Sequence, residues 1–245
     1  LYGASRFATF LALGALVGGA VFVVLWWPEG SARCRRLLVG AWILGAVGAA
    51  SSFVLQGAYG AALGLGSALH WSLLSSTAGT QYGRAMVLRA IGLAGWAAAL
   101  LVMGRGGAPA SGGKRRSFVV VAIVLGALVL APSSFAGHAG TVGVVPLSVG
   151  VDALHLLAVS VWTGGLAVLA AIVLRPGAEV DGPAGLSVER FSRAAPVVVA
   201  VVVATGLVRS WEEVRSLNAL GSTGYGVLLL AKAALVVGLI CIGAV

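Results

Sequence analysis

Short basic loops divide this chain into seven apolar runs, at about 7–25, 37–55, 82–103, 117–135, 146–174, 194–210 and 225 to the end. Each is close to the ~20 residues that an α-helix needs to cross the ~30 Å hydrocarbon core of a bilayer. No other feature restricts the fold as strongly. In hydrocarbon, every backbone N–H and C=O must find its partner within the protein, so only helices and closed β-barrels span. The Val-, Ala-, Leu- and Gly-rich runs lack the roughly ten-residue alternation of a barrel. The expected fold is therefore all-α, a polytopic membrane bundle of about seven transmembrane helices. Composition agrees: 60% of the residues are hydrophobic and 9% charged, against roughly 25% charged in soluble domains. The primary partner is the lipid bilayer.

A net charge of +9 could suggest nucleic acid, but the basic residues sit in the loops between apolar runs, where they report topology instead. The loops after runs one, three and five hold Arg33, Arg35, Arg36, Arg105, Lys114, Arg115, Arg116, Arg175, Arg190 and Arg193, ten of the sixteen Lys and Arg. The positive-inside rule makes these loops cytoplasmic, with the N-terminus outside and the C-terminus inside a cytoplasmic (inner) membrane. Leu1 stands where an initiator Met would, and the first run lacks a signal-peptide cleavage pattern. The chain is therefore expected to be part of a longer protein. Two cysteines, Cys34 and Cys241, make a disulfide framework unsuitable as a source of stability.

On this topology the three histidines all fall outside. Two of them, His138 and His155, lie in the stretch 133–165, with Asp152 one helical turn before the second. Pro146 suits the first turn of a helix. From there to Leu174 the fifth run measures ~42 Å at 1.5 Å per residue, longer than the hydrocarbon core. Counted back from Arg175, His155 lies ~30 Å along the axis, at the outer edge of the hydrocarbon. Asp152 and His155 share a helix face, and His138 sits in a Gly-flanked loop that lets it fold back over them. Imidazole suits copper, zinc, iron or nickel. Asp152 serves either as a ligand or as the acceptor that orients the imidazole. The alternative for His155 is a packing histidine bonded to a neighbouring helix. His70, beside Trp71 in the connection 56–81, is a further candidate ligand, although an exposed interfacial histidine is the ordinary reading there. That connection is long enough for a short interfacial helix.

Other residues are read more plainly. Met86 and Met103 are packing residues on opposite sides of the membrane. Arg89 and Lys232, two turns into their runs, are intramembrane charges that either snorkel or pair with Asp152, Glu212 or Glu213. Tyr82, Tyr225, Trp162 and Trp211 fit interfacial anchors, with packing the simpler role for Trp162. Gly14, Gly18, Gly164 and Gly165 allow close helix contact. A weak internal repeat relates Thr80, Tyr82, Gly83 and Arg89 to Thr223, Tyr225, Gly226 and Lys232, and Gly18-Gly19 to Gly164-Gly165. It divides a single domain, 1–245, into parallel halves, 1–103 and 146–245, of three helices each, joined by a connecting helix. In so Gly- and Ala-rich a chain, chance is the competing explanation. With the repeat, His155 aligns with Thr9, so the histidine chemistry belongs to one half.

GHAGT from Gly137, DALHLLAVSVWTGGL from Asp152, RFS from Arg190 and TGYGVLLLAK from Thr223 together resemble the copper resistance protein D family (CopD). The match runs from Phe118 to Lys232, and more loosely over the first three runs. The resemblance implies a copper ion as the substrate, import across the cytoplasmic membrane, and a periplasmic or extracellular CopC-like copper carrier as partner, separate or fused. Cu(I) and Cu(II) both stay open. Against this stand a membrane electron carrier with b-type haem, which needs axial histidines on facing helices, and a non-transporting copper sensor or assembly subunit. No nucleotide-binding loop or nucleophile triad is present, which disfavours an enzyme.

Overall fold

A computed structural model describes residues 1–27, 32–106, 112–132, 145–173, 183–214 and 224–243. The described residues form α1 (Tyr2–Trp26), α2 (Ala32–Gly60), a 3₁₀ turn (Leu65–Ser67), α3 (Trp71–Gly79), α4 (Gln81–Gly106), α5 (Gly112–Leu130), α6 (Val145–Val173), α7 (Pro183–Val214) and α8 (Gly224–Gly243). The architecture is all-α. Five of these helices are long and apolar enough to cross a membrane, over Tyr2–Trp26, Arg33–Gly60, Gln81–Arg105, Ser148–Ala171 and Gly185–Glu212. That is fewer than the seven expected. α5 has 19 residues and begins with Lys114, Arg115 and Arg116, which shorten its uncharged part; α8, with 20, is also outside the five. The protein is nonetheless a multi-pass membrane protein.

Its surface says the same. Ile43, Leu44 and Val47 on α2, Val87 and Ile91 on α4, and Val120 and Ile123 on α5 are exposed, a distribution that suits hydrocarbon and not water. The most buried helix is α1. Leu13, Leu16, Val17, Ala20 and Phe22 are almost wholly enclosed, with α2, α5, α6 and α7 packed around it. Trp96 of α4 and Leu38 of α2 complete the core.

Contacts fix the direction of each helix. Gly14 faces Ser160 and Thr163, while Gly19 faces Gly164 and Val168, so α1 and α6 run parallel. Ser5 bonds to Ser52 at 3.0 Å near one end of α1, and Gly19 meets Leu38 nearer the other, so α2 is antiparallel to it. The same reasoning reverses α5 and α7. One end of the bundle, the head, thus gathers the N-termini of α1, α4 and α6. It also holds α3, the short helix that the connection 56–81 was expected to contain. The other end, the foot, carries Arg33, Arg35, Arg36, Arg105, Arg115, Arg116, Arg190 and Arg193. Arg115 donates to the carbonyls of Val24 and Leu25 at 3.1 and 2.7 Å, and Arg35 to that of Gly104 at 3.1 Å. These guanidiniums satisfy helix C-terminal carbonyls that have no intrahelical partner.

The α1–α6 crossing is made by glycine. A Cβ on Gly18 would fall on the Ser160 carbonyl oxygen, and one on Gly164 would stand 2.7 Å from Gly18 Cα. Backbones can approach this closely only without side chains between them. Gly165 instead makes room for the Phe191 ring of α7, which packs at a tilt on Phe22 and edge-on to Trp26, at 5.4 and 5.3 Å between ring centres. Gly18→Ala is expected to lower stability by roughly 1–3 kcal/mol through overpacking. Gly40→Ala, where a Cβ meets nothing within 4 Å, should be neutral or stabilising by up to ~1 kcal/mol. Unfolding of the two variants in detergent, followed by helical circular dichroism, checks both.

Candidate functional site

The head end of the α6–α7 seam carries three polar contacts, spaced about one helical turn apart on each helix. Ser148, Asp152 and His155 on α6 meet Glu212, Arg209 and Thr205 on α7. Ser148 Oγ donates to Glu212 Oε1 at 2.9 Å. Arg209 bridges two carboxylates, with Nη1 2.8 Å from Glu212 Oε2 and Nε 3.3 Å from Asp152 Oδ1. Its side chain and that of Asp152 are 20% and 19% exposed. Partial burial in an apolar surround raises the value of such pairing and the cost of breaking it.

His155 is half-buried, and its Nδ1 lies 2.9 Å from Thr205 Oγ1. The hydroxyl has one proton, which it donates to the Val201 carbonyl at 2.6 Å. An oxygen that donates there accepts from His155 Nδ1–H, and in that tautomer Nε2 is the ring's lone-pair nitrogen. The ring edge rests against Gly206, where a Cβ would stand 3.4 Å from Cε1. Thr205 and Gly206 together hold the imidazole in place.

The expected ligands are only partly brought together. Asp152 and His155 share a helix face as their spacing predicted, but Asp152 is engaged by Arg209. Of the two cations considered for Asp152, Arg89 donates its Nε to the Val129 carbonyl at 2.8 Å on the far side of α1; the Lys232 side chain lies outside the described residues, as does that of Glu213. His138 also lies outside them. His70 is exposed at the N-cap of α3. Among the described residues, no three His, Cys, Asp or Glu side chains form a metal-holding group. Trp162 packs against the core, Trp211 is exposed, and the Tyr225 side chain is not described. Thr205 and Arg209 were missed in sequence, although the spacing of Thr205, Arg209 and Glu212 on one face of an apolar run was a readable signal.

Because Arg209 is shared, its removal leaves two partly buried carboxylates close together. Arg209→Gln should destabilise the protein more than Arg209→Gln with Asp152→Asn. A double-mutant cycle in detergent should show a coupling of about 0.5–3 kcal/mol; additivity would mean that the ion pair does not hold the seam.

Comparison with known proteins places this geometry in context. Residues 1–146 match the family described as copper resistance protein D-like, N-terminal domain, and residues 186–245 match copper resistance protein D. Asp152 and His155 lie between the two matched segments. Over 255 aligned positions the chain is 30% identical to the copper transport protein CutJ of Bacillus subtilis (strain 168), an alignment that covers 99% of this chain and 45% of that protein. The chain thus spans about half the length of that curated relative. No solved structure matches. The first three helices, whose motifs resembled the family only loosely, are fully inside the matched region. The chain belongs to the copper resistance protein D family, a family of copper-handling membrane proteins and not of enzymes.

Proposed function

We propose that the protein binds copper at the head end of the α6–α7 seam and imports it across the cytoplasmic membrane. The observation that carries this reading is His155, held through Nδ1 by Thr205 on a membrane-spanning helix of a copper-family protein. A neutral imidazole in one fixed tautomer is what copper ligation requires. His138, in the connection that leads into α6, supplies a second imidazole. Asp152 joins as a ligand by leaving Arg209, or stays in place to tune the charge around the ring. His70 contributes, if at all, from the same end of the bundle.

The remaining architecture is proposed on the same footing. The foot carries most of the described arginines, so the positive-inside rule sets it in the cytoplasm and the head outside. A CopC-like carrier, separate or fused, would deliver copper to the head. With α5 and α8 counted as spans, the total is seven. The halves 1–103 and 146–245 form a parallel repeat; one glycine of each matched pair, Gly18 and Gly164, meets the other at the α1–α6 crossing, and the two helices run in the same direction.

His155→Ala should reduce copper bound by the purified protein and copper accumulated by cells at least tenfold, with His138→Ala next in effect. Thr205→Val, which removes the acceptor for Nδ1–H, should weaken copper binding about 10–100-fold while keeping the helical signal, the usual loss for a group that orients a metal-binding imidazole. Unchanged copper in His155→Ala by both assays would refute the assignment.

A further inference from the structure

At the head, on the opposite side of α1 from His155, a cavity of roughly 200 Å³ opens between α1, α2 and α4. Its size is several times the ~30 Å³ share of a water molecule but below the ~300 Å³ of pockets for drug-sized ligands. The walls mix aromatic and polar groups, and their charged residues are of one sign. Arg6 and Arg89 line it together with Tyr2, Tyr82 and Gln56, and none of its ten lining residues is Asp or Glu. Arg89 is 5% exposed, two turns into α4 and therefore ~12 Å below its start.

The guanidiniums are held in place by neutral groups. Arg89 Nε donates to the Val129 carbonyl at 2.8 Å, and Nη1 faces Met86 Sδ at 3.7 Å. Arg6 lies over the Tyr2 ring, 5.6 Å from its centre. Tyr2 stacks on Tyr59 at 4.6 Å and donates its hydroxyl to Gln56 Oε1. These contacts orient the two cations without neutralising them. In a low-dielectric surround such a lining repels a copper ion and attracts an anion. Two guanidiniums on separate helices, with the Gln56 amide between them, suit a ligand with several acceptor oxygens. A tetrahedral phosphate fits this better than a planar carboxylate, which one fork can saturate. Tyr2 begins α1 and Tyr59 ends α2, so the mouth is at headgroup depth.

We propose that this cavity binds one phosphate group, either the phosphodiester of an anionic lipid headgroup or free inorganic phosphate. The site is independent of the copper assignment. It also occupies, in the first half of the chain, the place that the histidine seam occupies in the second: the offset that aligns Thr9 with His155 sets Arg6 against Asp152. The same position is cationic in one half and anionic in the other.

The test uses the full chain in a neutral detergent, titrated with phosphatidylglycerol under native mass spectrometry and with inorganic phosphate by calorimetry. One equivalent should bind, and Arg6→Gln and Arg89→Gln should each weaken binding at least tenfold. Arg193→Gln, at the foot, should change it less than twofold. Arg6 is exposed, so its variant retains the fold even if Arg89→Gln does not, as helical circular dichroism will show. Binding of phosphatidylglycerol alone identifies a lipid site; inorganic phosphate that binds and competes identifies a free-ion site, and either result supports the proposal. No binding of either probe, or equal loss in Arg6→Gln and Arg193→Gln, overturns it.

Discussion

The bundle depends on two helices meeting backbone to backbone. Where α1 crosses α6, Gly18 and Gly164 leave no side chain between the chains, and Ser160 presents its carbonyl to the gap. In lipid, an apolar side chain gains little from moving out of hydrocarbon into protein, so association relies on close packing and on hydrogen bonds. Glycine supplies the first, and the position of everything else follows. With α6 seated on α1, its far side is left for α7, and the contacts of His155 with Thr205 and of Asp152 with Arg209 form along that second seam. A bulkier residue at position 18 would push α6 outward and change the seam only indirectly, through the tilt of the helix that carries it.

Most helices were legible to within about five residues of their observed ends; α7 is the exception, since it begins at Pro183 and the run was read from 194. Pro146 was expected to lie in the first turn of the fifth run, and α6 begins at Val145; the run beginning at Tyr82 is α4, from Gln81. Run length and loop charge carry that information because the bilayer sets both. Rotation of each helix about its axis was not legible. A helix with protein on one side and lipid on the other is apolar all round, so the pattern that reveals the inner face of a soluble helix is missing. For that reason Arg89 and Lys232 were considered as partners for Asp152 on depth alone. The partner seen among the described residues, Arg209, is at similar depth on a helix whose facing direction only tertiary structure reveals. Glycines were the exception: Gly14, Gly18, Gly164 and Gly165 marked contact faces correctly, since small residues at helical spacing have few other uses in an apolar run. Tyr82, read as an interfacial anchor, lies at the expected depth but faces a cavity.

Charge is distributed unevenly at the head. On one side of α1, Arg6 and Arg89 face a common cavity; on the other, Asp152 and Glu212 share Arg209. Among the described residues each cluster has an excess of one sign in a region where charge is costly, and α1 separates them with a wall of buried Leu, Val and Ala. A cation approaching the head therefore meets an attractive seam and a repulsive cavity side by side, so electrostatics alone sorts which of the two it enters.

The Phe191 ring gives this seam a floor. It fills the space opposite Gly165, is 2% exposed, and is braced edge-on by Trp26. Above it the α6–α7 interface is polar; at its level the interface is closed by aromatic carbon. Anything that reached His155 could go deeper along this interface only if the ring swung aside or α7 moved off α6. Because Phe191 touches α1 and α6 at once, that movement would have to loosen three helices together.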